Sequence, residues 1–96
     1  MTTNDFNAAV ATRHPLPEDA PALVRALWHD AVDDWGRAHA LTQDVESAEG
    51  AWVHAYLHRK EGDISNAHYW YRRAGRTPAT GALDDERQAI VAVLLG

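Results

Sequence analysis

Apolar residues recur along this chain at intervals of three and four positions, the spacing that places side chains on one face of an α-helix. The interval is clearest in two segments, whose apolar positions are Leu23, Leu27, Trp28 and Ala31 in the first and Ile64, Ala67, Tyr71 and Ala74 in the second. No segment alternates with the two-residue period of a half-buried strand. The pattern predicts an all-α fold with about five helices.

Turn and capping residues divide the chain into these helices. The prolines at positions 15 and 17 break any helix, because proline lacks an amide donor and restricts the residue before it. Residues 1–16 are therefore interpreted as an N-terminal leader, with room for a helical turn around Phe6–Val10. Gly62 is a stop signal, and Asp63 is suited to cap the next helix. The predicted helices run from Pro17 or Pro21 to Val32, then over 35–43, 46–61, 64–75 and 83–95.

The sequence also contains an internal repeat. Shifting the chain by 29 residues aligns 22–39 with 51–68 and gives seven identities in 18 positions. The identical pairs are Ala22/Ala51, Val24/Val53, Ala26/Ala55, His29/His58, Asp34/Asp63, Ala38/Ala67 and His39/His68. Each copy reads as a longer helix, a tight turn with Asp as cap, and a second helix. We therefore expect two antiparallel helical hairpins that stack to bury the apolar face each leaves open.

A family resemblance lies in the second copy. Ala55, Gly62, Ala67, Tyr71 and Ala74 follow the tetratricopeptide pattern of small residue, glycine, alanine, aromatic and alanine. Residues 51–75 thus resemble a tetratricopeptide (TPR) repeat, and 62–74 is also similar to the related Sel1-like repeats. The resemblance implies a single all-α domain, 17–96, of two TPR-like hairpins (17–44 and 46–75) and a C-terminal capping helix (82–95).

The resemblance also implies a binding surface. In TPR proteins the first helices of successive hairpins line a concave groove for a peptide or a partner helix. The partner-binding residues that this implies are Leu23, Leu27, Asp30, Trp52, Tyr56, Arg59 and Lys60. Aromatic anchors with Arg59 and Lys60 at one end suit a peptide with an acidic group. The alternative is that these cations only complement a helix C-terminus. Two hairpins give little groove, so we also consider a homo-oligomer.

Histidine is the other unusual feature, with six residues in the chain. His54 and His58 are four residues apart and share one helical face, as metal-binding pairs do. His29 is the repeat equivalent of His58, so stacking of the hairpins is expected to bring His29 towards this pair. The candidate metal ligands are therefore His29, His54 and His58. The alternative is that these imidazoles pack as partly buried rings that hydrogen-bond to carbonyls or carboxylates.

Composition narrows the remaining functions. The absence of cysteine excludes disulfides, thiolate metal sites and a thiol nucleophile. A net charge of -5 disfavours binding to nucleic acid. The apolar run at 89–95 is too short to span a membrane. No phosphate-binding loop or nucleophile motif is present, so no cofactor is predicted. We expect a cytoplasmic, non-catalytic module that binds a protein or peptide, with a histidine metal site as the alternative function.

Overall fold

A computed structural model describes all residues of the chain, 1–96, and contains six helices and no strand. The helices are α1 (Thr3–Ala11), α2 (Ala22–Ala31), α3 (Trp35–Gln43), α4 (Ala48–Glu61), α5 (Ile64–Ala74) and α6 (Leu83–Leu95). The all-α prediction is confirmed. No helix is both long and apolar enough to cross a membrane.

The sixth helix, α1, lies in the segment interpreted as a leader. Its start is fixed by a capping box, in which Thr2 and Asp5 each bond the other's backbone amide. Phe6 is fully buried, and α1 packs against both α2 and α6. The sequence analysis expected only a helical turn here, because it gave more weight to the downstream prolines than to this cap.

Two helical hairpins, α2–α3 and α4–α5, have closely similar turns. Asp34 caps α3 and Asp63 caps α5, each through a backbone amide three residues on. The residue before each cap has left-handed backbone, with φ +66° at Asp33 and φ +90° at Gly62. These left-handed residues reverse the chain, and Gly62 does so without a Cβ penalty.

Helix α4 is the centre of the molecule. Nine consecutive residues, from Gly50 to His58, are buried. A helix buried around its whole circumference needs neighbours on every side, and α4 packs against α2, α3, α5 and α6. Residues two apart on a helix point about 200° apart. Trp52 and Tyr56 therefore face one side of α4, while His54 and His58 face the other.

The position of α6 differs from that expected of a capping helix. A cap at the end of the array would lie along the last helix, α5. Instead the backbone of α6 runs close to α4, α2 and α1, but not to α5. Ile90 and Val91 anchor α6 and are fully buried. The C-terminal helix therefore lies along the first helices of both hairpins, where the resemblance to TPR proteins placed an open groove.

Candidate functional site

The predicted groove residues come together, but α6 covers them. Trp52 is 6% exposed and Tyr56 is 0% exposed, so neither is available as a surface anchor in this conformation. Five of the seven residues predicted to bind a partner are buried: Leu23, Leu27, Asp30, Trp52 and Tyr56. The expectation of an open groove is therefore wrong, because the chain's own apolar helix fills it.

Glu86 of α6 is the acidic group in this groove. Its Oε2 accepts hydrogen bonds from Trp52 Nε1 at 3.1 Å and from the Tyr71 hydroxyl at 2.6 Å. Its Oε1 pairs with Arg59 Nη1 at 3.0 Å. The Arg76 guanidinium lies 3.4 Å from the centre of the Trp52 ring. Burial and the bond to Glu86 raise the pKa of Tyr71, because ionisation would place two negative charges together.

Asp30 of α2 organises a second group of buried polar contacts. Its carboxylate is fully buried and accepts from the Tyr56 hydroxyl at 2.5 Å. Lys60 Nζ contacts it at 2.7 Å, and Arg87 of α6 lies 3.9 Å away. Burial and this hydrogen bond raise the pKa of Tyr56. Both cations predicted to meet a partner, Arg59 and Lys60, are thus paired within the chain. We call the contacts around Asp30 and Glu86 the carboxylate network.

Three histidines meet on the opposite side of α4. His39 of α3 joins His54 and His58 of α4, and one nitrogen from each lies within 4.8 Å of the others. The ring centres are 5.2–5.9 Å apart. His54 and His58 are buried, and His39 is half-buried. We call His39, His54 and His58 the histidine cluster. It contains two of the three ligands predicted from the sequence.

His29, the third predicted ligand, lies elsewhere. It lines a separate surface pocket with Arg25, Leu16 and Leu41. His58 contacts Trp35 and His39 of the first hairpin, whereas His29 lies in a pocket with Leu16 of the segment that precedes α2. The prediction that His29 joins His58 is therefore wrong.

His54 has the most unusual environment of the cluster. Its ring stacks on Trp70 at 4.1 Å, with the planes 10° apart. Its Nδ1 is buried without a hydrogen-bond partner. Burial is the main cause that lowers the pKa of His54 to about 4, with the neighbouring His39 and His58 adding to it. The imidazole is therefore neutral at pH 7 and keeps a free lone pair.

His58 and His39 are held by neighbouring groups. His58 Nδ1 lies 2.7 Å from Glu61 Oε2, and its Nε2 lies 3.3 Å from the Asn66 amide nitrogen. His39 stacks on Trp35, whose Nε1 donates to the Leu57 carbonyl at 2.8 Å. Burial is the main cause of a lowered pKa for His39. These contacts involve both ring nitrogens of His58 and one face of the His39 ring.

A pocket of about 270 Å³ reaches one member of the cluster, His54, from the surface. His54 and Trp70 form part of its wall, and Arg73 and Glu46 are among the charged residues that line it. The Arg73 guanidinium lies 5.2 Å from the centre of the Trp70 ring. Small molecules and ions can therefore approach His54 without unfolding of the helices.

His39 is not among the ligands predicted from the sequence, in which it appears only as the repeat equivalent of His68. The two differ in the structure, because His39 lies between the hairpins and His68 is exposed on α5. The repeat did contain a signal for His39. In stacked hairpins, the second helix of the first hairpin faces the first helix of the next, which places α3, with His39, beside α4.

Comparisons of the chain with protein-family models, with curated proteins and with solved structures give no match. The two buried polar regions are therefore the features of this chain from which a function is inferred.

Proposed function

We propose that the protein binds a divalent transition-metal ion, with Zn²⁺ as the best-fitting case, through His39, His54 and His58. Two observations carry the proposal: one ring nitrogen from each of three imidazoles lies within 4.8 Å of the others, and the buried Nδ1 of one of these rings, His54, has no hydrogen-bond partner. Buried polar atoms in folded proteins nearly always have a partner, and a metal ion would supply one here. Neutral imidazole is the commonest protein ligand for such ions.

The distances are compatible with this role after a small adjustment. A Zn–N bond is about 2.0–2.1 Å long, so ligand nitrogens in a tetrahedral site lie about 3.4 Å apart. The cluster nitrogens lie within 4.8 Å of each other. Rotation of the half-buried His39 ring and a slight approach of α3 to α4 would close the difference. Binding at His58 Nε2 would displace the long contact with Asn66.

Glu61 supports the proposal as a positioning residue for His58. Histidine ligands usually give their second ring N–H to a carboxylate, which fixes the tautomer and strengthens the metal bond. Glu61 lies 2.7 Å from His58 Nδ1 and is partly exposed. This arrangement leaves Nε2 of His58 to face the metal.

The proposed ion would join the two hairpins, because His39 belongs to the first hairpin and the other ligands to the second. Three protein ligands leave a fourth coordination position free in a tetrahedral site. Water or a small ligand that enters through the adjacent pocket would occupy it. The function proposed is therefore metal binding at the junction between the hairpins.

Titration with Zn²⁺ by calorimetry, and with Co²⁺ by visible absorption, tests the proposal. We expect one ion per chain for the wild type, and an affinity at least about tenfold lower for His39→Ala. His68→Ala is the matched control, since His68 is the repeat equivalent of His39 and is exposed. Circular dichroism establishes that both variants fold. Failure of the folded wild type to bind, or equal affinity of His39→Ala, would overturn the proposal.

A further inference from the structure

The groove between α2 and α4 needs an occupant. Glu86 satisfies the indole N–H of Trp52, the hydroxyl of Tyr71 and the guanidinium of Arg59. Without a carboxylate at this place, these donors would lose their partner in a site that is largely closed to water. The groove is therefore specific for an amphipathic helix that presents an acidic residue.

Helix α6 meets this requirement with one face only. Glu86 and Ile90 are four residues apart, so they lie on the same side of the helix, and Val91 extends the apolar part. These residues are buried, whereas Val93 on another face is 49% exposed. The contacts of α6 thus resemble those of a ligand helix in a receptor groove.

The segment that connects α5 to α6 allows this helix to leave its own groove. Residues 75–82 contain no helix or strand and lie mostly at the surface. Eight residues reach up to about 26 Å when extended. This length is comparable with the 25 Å width of the molecule. Exchange of α6 between two copies would change the path of this segment, including its contacts with Arg59 and Trp52, and would leave the groove contacts of Glu86, Ile90 and Val91 the same.

We propose that the α2–α4 groove also accepts α6 from a second copy of this chain, which gives a dimer with exchanged C-terminal helices. A second copy is the favoured occupant because it brings the same Glu86, Ile90 and Val91 to the same groove. Either occupant must displace the tethered α6, but a foreign helix would leave that α6 without a groove, whereas a reciprocal exchange places each displaced α6 in the groove of the other copy. Low protein concentration favours the monomer, and the dimer forms as concentration rises.

Charge reversal in separate full-length chains tests this inference. Arg59→Glu places two carboxylates together in its own groove, and Glu86→Arg places two guanidinium groups together. When the two variants are refolded as a mixture, exchange of α6 restores the Arg59–Glu86 pair in one groove. The other groove then contains the reversed pair. We expect a heterodimer of twice the 10.6 kDa chain mass by light scattering, whereas neither variant alone forms it.

The double variant Arg59→Glu/Glu86→Arg is the matched control, since its reversed pair lies within one chain. Trp52 and Tyr71 lose their acceptor in this variant, so circular dichroism must first establish that it folds; the folded control should then be a monomer at low concentration. Absence of the heterodimer while this control folds would overturn the inference.

A second measurement covers the case in which the charge variants do not fold. Ser65 is exposed and the chain has no cysteine, so Ser65→Cys gives a single labelling position. Donor- and acceptor-labelled chains, refolded together at high concentration, should show energy transfer that survives brief dilution. No transfer, with light scattering that reports monomer at every concentration, would overturn the inference. Equal transfer without refolding would indicate ordinary surface association and would also overturn it.

Discussion

The two sides of α4 contain two kinds of buried polar region. On the side of α2 and α6, the carboxylate oxygens of Asp30 and Glu86 and their tyrosine partners are all hydrogen-bonded. Two other buried polar atoms lack a partner, Trp28 Nε1 of α2 and Arg87 Nε of α6, and the Arg87 guanidinium forms ion pairs through Nη1. On the side of α3 and α5, His54 Nδ1 has no partner.

This difference separates a structural role from a ligand-binding role. Buried polar groups that hydrogen-bond to one another hold helices together, and they leave no donor or acceptor free to bind an added ligand. An unpartnered and neutral imidazole, next to a pocket and two further imidazoles, gains a partner only when something binds.

Glu86→Ala should be the most damaging change. It removes the acceptor of Trp52, Tyr71 and Arg59 at once, and we expect a loss of about 3–5 kcal/mol in the free energy of unfolding. Urea unfolding followed by tryptophan fluorescence measures this loss. Asp85→Ala is the matched control, because Asp85 is the exposed neighbour in the same helical turn. It should change stability by less than about 0.5 kcal/mol. If Glu86→Ala lowered the free energy of unfolding no more than Asp85→Ala does, the carboxylate network would have no structural role.

Zinc should stabilise the wild type by mass action. At a free concentration of about 100 times the dissociation constant, the expected gain is about 2.7 kcal/mol. The urea midpoint should rise with Zn²⁺ and return to its starting value with a chelator. His54→Leu should lose the response, and His68→Ala should keep it. An identical response in His54→Leu would place the bound metal elsewhere on the chain.

The raised pKa of Tyr71 predicts a loss of stability at high pH. The folded state keeps this phenol neutral, whereas an unfolded chain ionises it near its ordinary pKa of about 10. Its contribution is therefore complete below pH 10 and is lost as pH rises towards the folded-state value. Above pH 10, the urea midpoint of Tyr71→Phe should fall less steeply with rising pH than that of the wild type. Tyr69→Phe is the control, because Tyr69 is exposed, and its midpoint should follow that of the wild type. Parallel curves for wild type and Tyr71→Phe would contradict this prediction.

His54→Leu in metal-free protein should have the smallest effect on stability. Leucine fills a similar volume and removes the unpartnered Nδ1, so the lost stacking on Trp70 is offset. We expect a change within about 1 kcal/mol of wild type in the presence of a chelator. A loss as large as that of Glu86→Ala would mean that His54 is a structural residue, and the contrast between the two sides of α4 would fail.

Much of the local structure was predictable from the sequence. Helix α3 spans the predicted 35–43, and α4 and α5 end within one residue of their predicted ends. Asp63 as cap and Gly62 as turn residue were recognised because such signals act within one helical turn. The four-residue spacing of His54 and His58 likewise placed both rings on one face of α4. These are properties of neighbouring residues along the chain.

The contacts between helices were less predictable. The groove residues were identified, but their occupant was not, because Glu86 lies 34 residues from Trp52. His39 was missed and His29 was wrongly included, since a repeat pattern gives equivalent positions without giving the direction of stacking. Phe6 was predicted to lie in an N-terminal leader, but it is fully buried.

Local sequence signals specified five of the six helices, the cap at Asp63, the turn at Gly62 and the shared face of His54 and His58. These features depend on backbone preferences and on the 3.6-residue period, which act over a few residues. Only the tertiary structure decided that α6 fills the α2–α4 groove and that His39 completes the histidine cluster. Both outcomes depend on which surfaces exclude water together, and burial of that kind is set by the whole chain rather than by local spacing.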